Sequence, residues 1–184
     1  LDLTAMHVVC GCGGGEAVRA VLPKVISTAK TLVLDADALN AIAGDAQLKS
    51  LCIARARRGR ETVITPHPLE AARLLESNTS EVQADRLAAA RELASRFGCV
   101  AVLKGSGTVI AAPGTAATIN PTGSARLATA GTGDVLAGMI SAHLARGHSA
   151  PDAAAGAVFR HGSLADTWPP GSKLTASALA LQSD

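Results

Sequence analysis

Short, unbroken apolar runs recur along the chain and limit the folds open to it. HVVC (His7–Cys10), TLVLD (Thr31–Asp35), ETVIT (Glu61–Thr65) and CVAVLKG (Cys99–Gly105) read as strands, separated by stretches of helical pattern. Strands with no polar alternation are buried on both faces, which is the sequence form of a parallel sheet covered by helices on each side. The expected class is α/β. TVIAA, Pro113-Gly114 and TAATI add an antiparallel hairpin. No internal repeat and no linker interrupts the pattern, so one domain is expected across Leu1–Asp184.

Between the strands, a helix is expected from Glu16 to about Ala29, and ADALNAIAG forms a short one ended by Gly44. PHPLEAARLLE turns at once into a helix, with proline in its first turn. Ser80 is placed as the cap of an amphipathic helix that stops at Phe97-Gly98. DVLAGMISAHLARG is helical, and Ser149 with Pro151 and Asp152 begins another helix that runs to about Asp166. The basic run Arg55–Arg60 (RARRGR) is expected to be a solvated helix end and not a binding patch.

Composition excludes several classes of function. Aromatic residues are 2% of the chain, so base stacking on aromatic platforms is not available. A net charge of +2 is too small for nucleic acid as the main partner. No run reaches the length of a membrane span. Cys10, Cys12, Cys52 and Cys99 show no disulfide spacing and fit free thiols in a reducing cytoplasm. His7, Cys10 and Cys12 lack the second ligand pair that a metal cluster needs.

The chemistry-bearing residues follow the strands. In an open α/β sheet, ligands bind outside the carboxyl ends of the strands. The glycines after Cys10, then Asp35, His67 and Lys104-Gly105 each follow a strand end, so four strands would point chemistry at one rim. Lys104-Gly105-Ser106-Gly107-Thr108 offers exposed amides, two hydroxyls and an ammonium to a phosphate, or is an ordinary turn. Gly131-Thr132-Gly133-Asp134 stands at a helix start, where free N–H groups and the helix dipole form an anion site. Asp134 beside that site is suited to taking a proton from a hydroxyl that attacks phosphorus. The alternative is a plain acid in a first helical turn, which leaves the flanking glycines unexplained. His67, held between two prolines, either binds a polar substrate group or is a satisfied structural histidine. Asp35 and Asp37 either orient water, metal or substrate, or cap the following helix.

VLDADALN, TPHPLEAARLL, VLKGSGTVI and NPTGSARLATAGTGDVLAG, in this order, resemble the ADP/ATP-dependent NAD(P)H-hydrate dehydratases of the ribokinase-like superfamily. The resemblance runs from about Val8 to the helix ending near Asp166. It implies a three-layer ribokinase-like fold and a metabolite-repair lyase. Such an enzyme phosphorylates the hydroxyl of hydrated NADH or NADPH with ADP or ATP, and phosphate then leaves. Bacterial members typically use ADP and release AMP. Carried onto this chain, Asp134 is the base and contacts the hydrate. Lys104, Gly105, Ser106, Gly107, Thr108 and Gly133 hold the nucleotide, with Gly131, Thr132 and Gly133 around the transferred phosphoryl group. His67 and Gly13 bind the hydrated dinucleotide. Magnesium is expected with the nucleotide, its ligands unassigned. Cys12 and Gly14 stand where the family has Pro and Leu, so the glycine loop is expected to be more flexible here. Family domains begin well upstream of Val8, so the N-terminal strands and helices are expected to be missing from this stretch. An incomplete sheet edge favours a homo-oligomer. Two rivals are a ribokinase-like kinase of a small alcohol, which stops after phosphorylation, and a nucleotide-binding protein without catalysis.

Overall fold

The computed structural model describes residues 2–183. Six strands form one sheet in chain order: β1 (His7–Cys10), β2 (Thr31–Leu34), β3 (Thr62–Ile64), β4 (Val100–Leu103), β5 (Val109–Ala111) and β6 (Thr118–Ile119). β1 to β4 are parallel, and β4–β5–β6 is antiparallel. The hairpin register pairs Val109 with Ile119 and Ile110 with Thr118. The mixed sheet is therefore the one its apolar runs imply.

The helices are α1 (Val18–Thr28), α2 (Ala36–Ala43), α3 (Ala46–Arg57), α4 (Pro68–Leu75), α5 (Thr79–Ala84), α6 (Arg86–Phe97), α7 (Thr132–Ala145), α8 (Ala150–Asp166) and α9 (Ala176–Ala180). The period of two along each strand sorts side chains between the two faces. Leu32, Leu34, Ile64, Ala101 and Leu103 pack with α1 to α6. Val33, Val63, Val100 and Val102 pack with α7 and α8. The second face is thin because α7 and α8 approach through Ala137, Ala153, Ala154 and Ala157, all fully buried. A third cluster, Leu164, Ala165, Trp168, Leu174 and Leu179, sits beyond the sheet against Leu127 and Val135.

Two expectations are corrected. Ser80 caps nothing. Asn78 caps α5, and Asp85 caps α6 by accepting from the Ala88 amide at 2.8 Å, so the stretch is two helices, not one. The basic run is not a solvated helix end at its first residue. Arg55 is 2% exposed and lies inside the molecule. Its guanidinium donates to the carbonyls of Ile26, Ala29, Lys30 and Glu61 and to Thr62 Oγ1. It thereby ties α3 to the end of α1 and to the start of β3. Burial of a charge is tolerable when every donor is engaged, and burial lowers its pKa to about 10.

Candidate active site

The carboxyl ends of β1 to β4 meet at one rim. Asp35 follows β2 and is 1% exposed. Lys104 follows β4, and its Nζ donates to Asp35 Oδ1 at 2.7 Å across 69 residues of sequence. The acid precedes α2 but makes no side-chain cap bond to it, so its partner is the ammonium. Gly11, after β1, lies so close to this point that a Cβ there would stand 1.9 Å from the Asp35 carbonyl oxygen. Ala36, next to Asp35, has φ +46°, a left-handed value that costs a non-glycine residue energy and marks a constrained turn. Asp37 accepts from the Gly15 amide at 2.8 Å and so anchors the glycine loop after β1.

The start of α7 stands opposite. Gly131 turns the chain with φ +84°, and a Cβ there would come 2.9 Å from Ala176 Cβ. Thr132 is buried, and its hydroxyl donates to the carbonyls of Leu127 and Thr129 at 2.7 and 2.8 Å. His161 of α8 bonds through Nε2 to the Thr132 carbonyl at 2.9 Å. Because a carbonyl only accepts, Nε2 is the protonated nitrogen. Burial, offset in part by that bond, lowers the His161 pKa below the ordinary histidine value. No side chain caps α7, and the amides of Gly133 and Asp134 have no protein acceptor among the described residues. Unpaired amides at the positive end of a helix dipole form a ready anion site.

Asp134 is exposed on the first turn of α7. A Cβ on Gly133 would lie 3.4 Å from Lys104 Nζ and 3.7 Å from Asp35 Oδ2, so this glycine lets the helix start close onto the ion pair. Cys12 Sγ and carboxylate oxygens of Asp35 and Asp134 lie within 4.8 Å of one another. Burial, with help from Asp134 and Asp35, pushes the Cys12 thiol up to about 12. It remains a neutral thiol at physiological pH. His7 belongs elsewhere, its Nδ1 paired with Thr31 Oγ1 at 2.8 Å.

A cleft of about 540 Å³ runs from this point between α7, α8 and the β4–β5 turn. Lys104, Gly105, Ser106, Gly107 and Thr108 form one wall, Thr132 and Gly133 its floor, and Leu127, Leu136 and Val158 an apolar side. The sequence-derived residues thus gather, with distinctions. Gly131 is the turn behind the floor, and Asp134 sits one residue beyond Gly133 outside the lining. Gly13, at φ +62°, lies on the loop of Cys12, and a Cβ there would meet nothing within 4 Å. His67 lines the cleft while capping α4. Its Nδ1 accepts from the amides of Leu69 and Glu70 at 3.1 and 3.3 Å, and Nε2 lies 3.3 Å from Glu70 Oε1. Both ring nitrogens are engaged, as in the structural alternative. Three participants escaped sequence reasoning: Cys12 as a neighbour of Asp134, His161 beneath Thr132, and Arg86 behind the Lys104–Thr108 turn.

A family model described as NAD(P)H-hydrate dehydratase matches residues 2–183. The ADP-dependent (S)-NAD(P)H-hydrate dehydratase of Neisseria meningitidis is 43% identical over 181 residues, which is 97% of this chain and 60% of that protein. The chain therefore spans about three fifths of the length of that curated relative. Among solved structures, the ADP/ATP-dependent NAD(P)H-hydrate dehydratase of Bacillus subtilis, co-crystallised with ATP/Mg2+, is 32% identical with a TM-score of 0.76. That match covers 95% of this chain and 63% of the other. A ribokinase-like superfamily protein of Enterococcus faecalis, 22% identical with a TM-score of 0.61, covers 95% of this chain and 73% of its own and shares the fold.

Proposed function

The chain belongs to the NAD(P)H-hydrate dehydratase family, and on that premise we propose that it carries the nucleotide-dependent dehydration of hydrated NADH or NADPH, a metabolite-repair reaction. One observation supports this above the others. An exposed carboxylate, Asp134, stands on an uncapped helix start that a lysine–aspartate pair approaches from the opposite strand end. On this reading a base, unpaired amides and a cation stand around one point, which supports phosphoryl transfer to an alcohol.

Asp134 takes the proton of the hydrate hydroxyl as its oxygen attacks the terminal phosphorus of ADP. The bond from that phosphorus to its bridging oxygen breaks, and AMP leaves. The amides of Gly133 and Asp134, with the Lys104 ammonium, hold the charge that builds on the transferred group. The carbon–oxygen bond of the new phosphate ester then breaks, a neighbouring C–H gives its proton to the departing phosphate, and the ring double bond returns. Phosphorylation is the point of the scheme, since phosphate is a far better leaving group than hydroxide. Gly105 to Thr108 hold the nucleotide phosphates. Gly13 and His67 contact the hydrated dinucleotide, His67 through the exposed part of its ring.

Mg2+ suits the site, because two carboxylates, Asp35 and Asp134, present hard oxygens close together. The thiol of Cys12 is a poor donor for this ion. Asp35 would hold it with the nucleotide phosphates, leaving Asp134 to take the proton, and its charge would offset that of the phosphoryl oxygens. The free thiols of Cys10, Cys12, Cys52 and Cys99 support a reducing, cytoplasmic setting. Among the described residues β1 is a half-exposed sheet edge, which supports association of copies into a homo-oligomer. Leu1–Asp184 is read as part of one ribokinase-like domain.

The test supplies the whole protein with ADP or ATP and NADH hydrate and follows the return of dihydronicotinamide absorbance. Asp134→Asn is expected to lose at least about a hundredfold in kcat while keeping ADP affinity. Phosphorylated hydrate that accumulates without dihydronicotinamide would identify a kinase instead. Full turnover by Asp134→Asn would remove the base assignment.

A further inference from the structure

We infer that Arg86 is a positioning residue for nucleotide binding: its guanidinium gathers the carbonyls of the Lys104–Thr108 turn on the side away from the cleft and so faces the turn's amides toward the ligand's phosphates. The inference rests on the proposed function in one respect, that this turn holds a nucleotide.

Arg86 is the first residue of α6, remote in sequence from the turn it serves. Its Nη2 lies 3.1 Å from the Leu103 carbonyl, 3.3 Å from that of Lys104 and 3.4 Å from that of Gly107. Nη1 is held by Gln83 Oε1 at 2.9 Å, which orients the fork. Nε is buried without a partner. An unpaired buried donor is unfavourable, so the planar group is placed for the turn and not for its own convenience.

Peptide geometry gives the rest. In a trans peptide the C=O and the following N–H point in opposite directions. A Lys104 carbonyl turned onto Arg86 directs the Gly105 amide the other way, and a Gly107 carbonyl turned onto Arg86 does the same to the Thr108 amide. The Leu103 carbonyl follows the rule, for the Lys104 amide opposite it donates to the Pro66 carbonyl at 2.9 Å. The amides of Gly105, Ser106, Gly107 and Thr108 have no protein acceptor among the described residues. All four residues line the cleft. Successive amides aimed into a concavity bind anions, and a cation behind them strengthens the field.

The glycines agree with this reading. Gly105 has φ +143°, and a Cβ there would lie 3.0 Å from Arg86 Nη1, so guanidinium and backbone meet where only glycine fits. Gly107 takes φ +63°. Thr108 Oγ1 closes the turn by donating to the Gly105 carbonyl at 3.1 Å. The fork could not be replaced by an ammonium, which is a point donor without a plane.

The test measures ADP binding to the whole protein by calorimetry, with kcat and KM for ADP and for the hydrate, in the unaltered protein, Arg86→Met and Arg86→Lys. Arg86→Met is expected to weaken ADP binding at least about tenfold and to raise the KM for ADP, leaving the hydrate KM and the kcat at saturating ADP within about threefold. Arg86→Lys is expected to be nearly as weak for ADP, and added guanidinium ion to restore part of the Arg86→Met loss. ADP binding by either variant equal to that of the unaltered protein overturns the inference, as does an equal loss for ADP and hydrate. If Arg86→Met does not fold, the Arg86→Lys comparison decides. If the unaltered protein binds no nucleotide, the functional reading fails and this inference falls with it.

Discussion

Replacing Lys104 by methionine isolates the contribution of the ion pair at the centre of the site. Asp35 is 1% exposed, and no side chain other than Lys104 bonds its carboxylate among the described residues. Methionine keeps the length and apolar stem of lysine but leaves that carboxylate unpaired in the interior. Breaking a buried pair by removing one partner costs about 3–5 kcal/mol. The Lys104 side chain is 21% exposed, so water reaches the vacated end and the lower figure, about 3 kcal/mol, applies. For a domain of this size about 1 kcal/mol moves Tm by about 2–4 °C, so a fall of about 6–12 °C is expected in thermal unfolding followed by circular dichroism. The Asp35→Asn, Lys104→Met double variant removes the stranded charge and is expected to recover most of that fall. The cycle of four proteins then gives the coupling energy. Catalysis behaves differently. On the proposed function the ammonium beside the phosphoryl group is lost in both variants, so kcat is expected to stay down by about a hundredfold or more in the double variant. A Tm for Lys104→Met within 2 °C of the unaltered protein on the scale of that estimate, or a double variant less stable than the single, would refute the claim that the pair is a buried coupled unit.

Arg55→Met removes the five hydrogen bonds the guanidinium donates, leaving the Ile26 and Lys30 carbonyls without that donor in the interior, and it is expected to destabilise the protein by more than about 3 kcal/mol in urea unfolding, with ADP affinity in the surviving folded fraction unchanged. Acid lowers stability through His161 and His143, both held below the ordinary histidine pKa, chiefly by burial. The unfolded chain binds protons at about pH 6.5 that the native rings refuse. Stability therefore rises with pH from the depressed folded values up to that point, and His161→Gln, which keeps a donor near the Nε2 position, is expected to flatten the slope in urea titrations between pH 5 and 7 on that basis.

The parts legible in the sequence were those written locally. Each strand is an unbroken apolar run, and the Gly131–Asp134 signal needs only its neighbours to mark a helix start. Asp35 and Lys104 were visible as strand ends, but their pairing spans 69 residues and depends on which strands become neighbours. Asp35 fits both capping and ligand roles, because an acid before a helix serves either, and only the placing of β2 and β4 on the two sides of β3 brings it to the ammonium. Only the end of α3 is legible, at the basic run. Its apolar and basic residues do not sort onto clear faces, because one of the arginines is an interior residue serving carbonyls of other segments. Ser80 misled for a physical reason: it lies near two better caps, Asn78 and Asp85, whose carbonyl and carboxylate oxygens accept from the backbone. Arg86 looked like an ordinary first-turn residue, since its partners are main-chain carbonyls that carry no side-chain signature.

Trp168 is the chain's one indole, and there is no tyrosine to obscure its emission. It is buried against the residues that precede and begin α7, with Leu127 and Val135 in its cluster and Arg126 donating to its carbonyl at 2.8 Å. Its fluorescence therefore reports on the segment that leads into Gly131–Asp134. A dearth of aromatic residues, which closes off stacking as a means of recognition, leaves the protein with a single built-in optical gauge, mounted beneath the segment that leads into the candidate site.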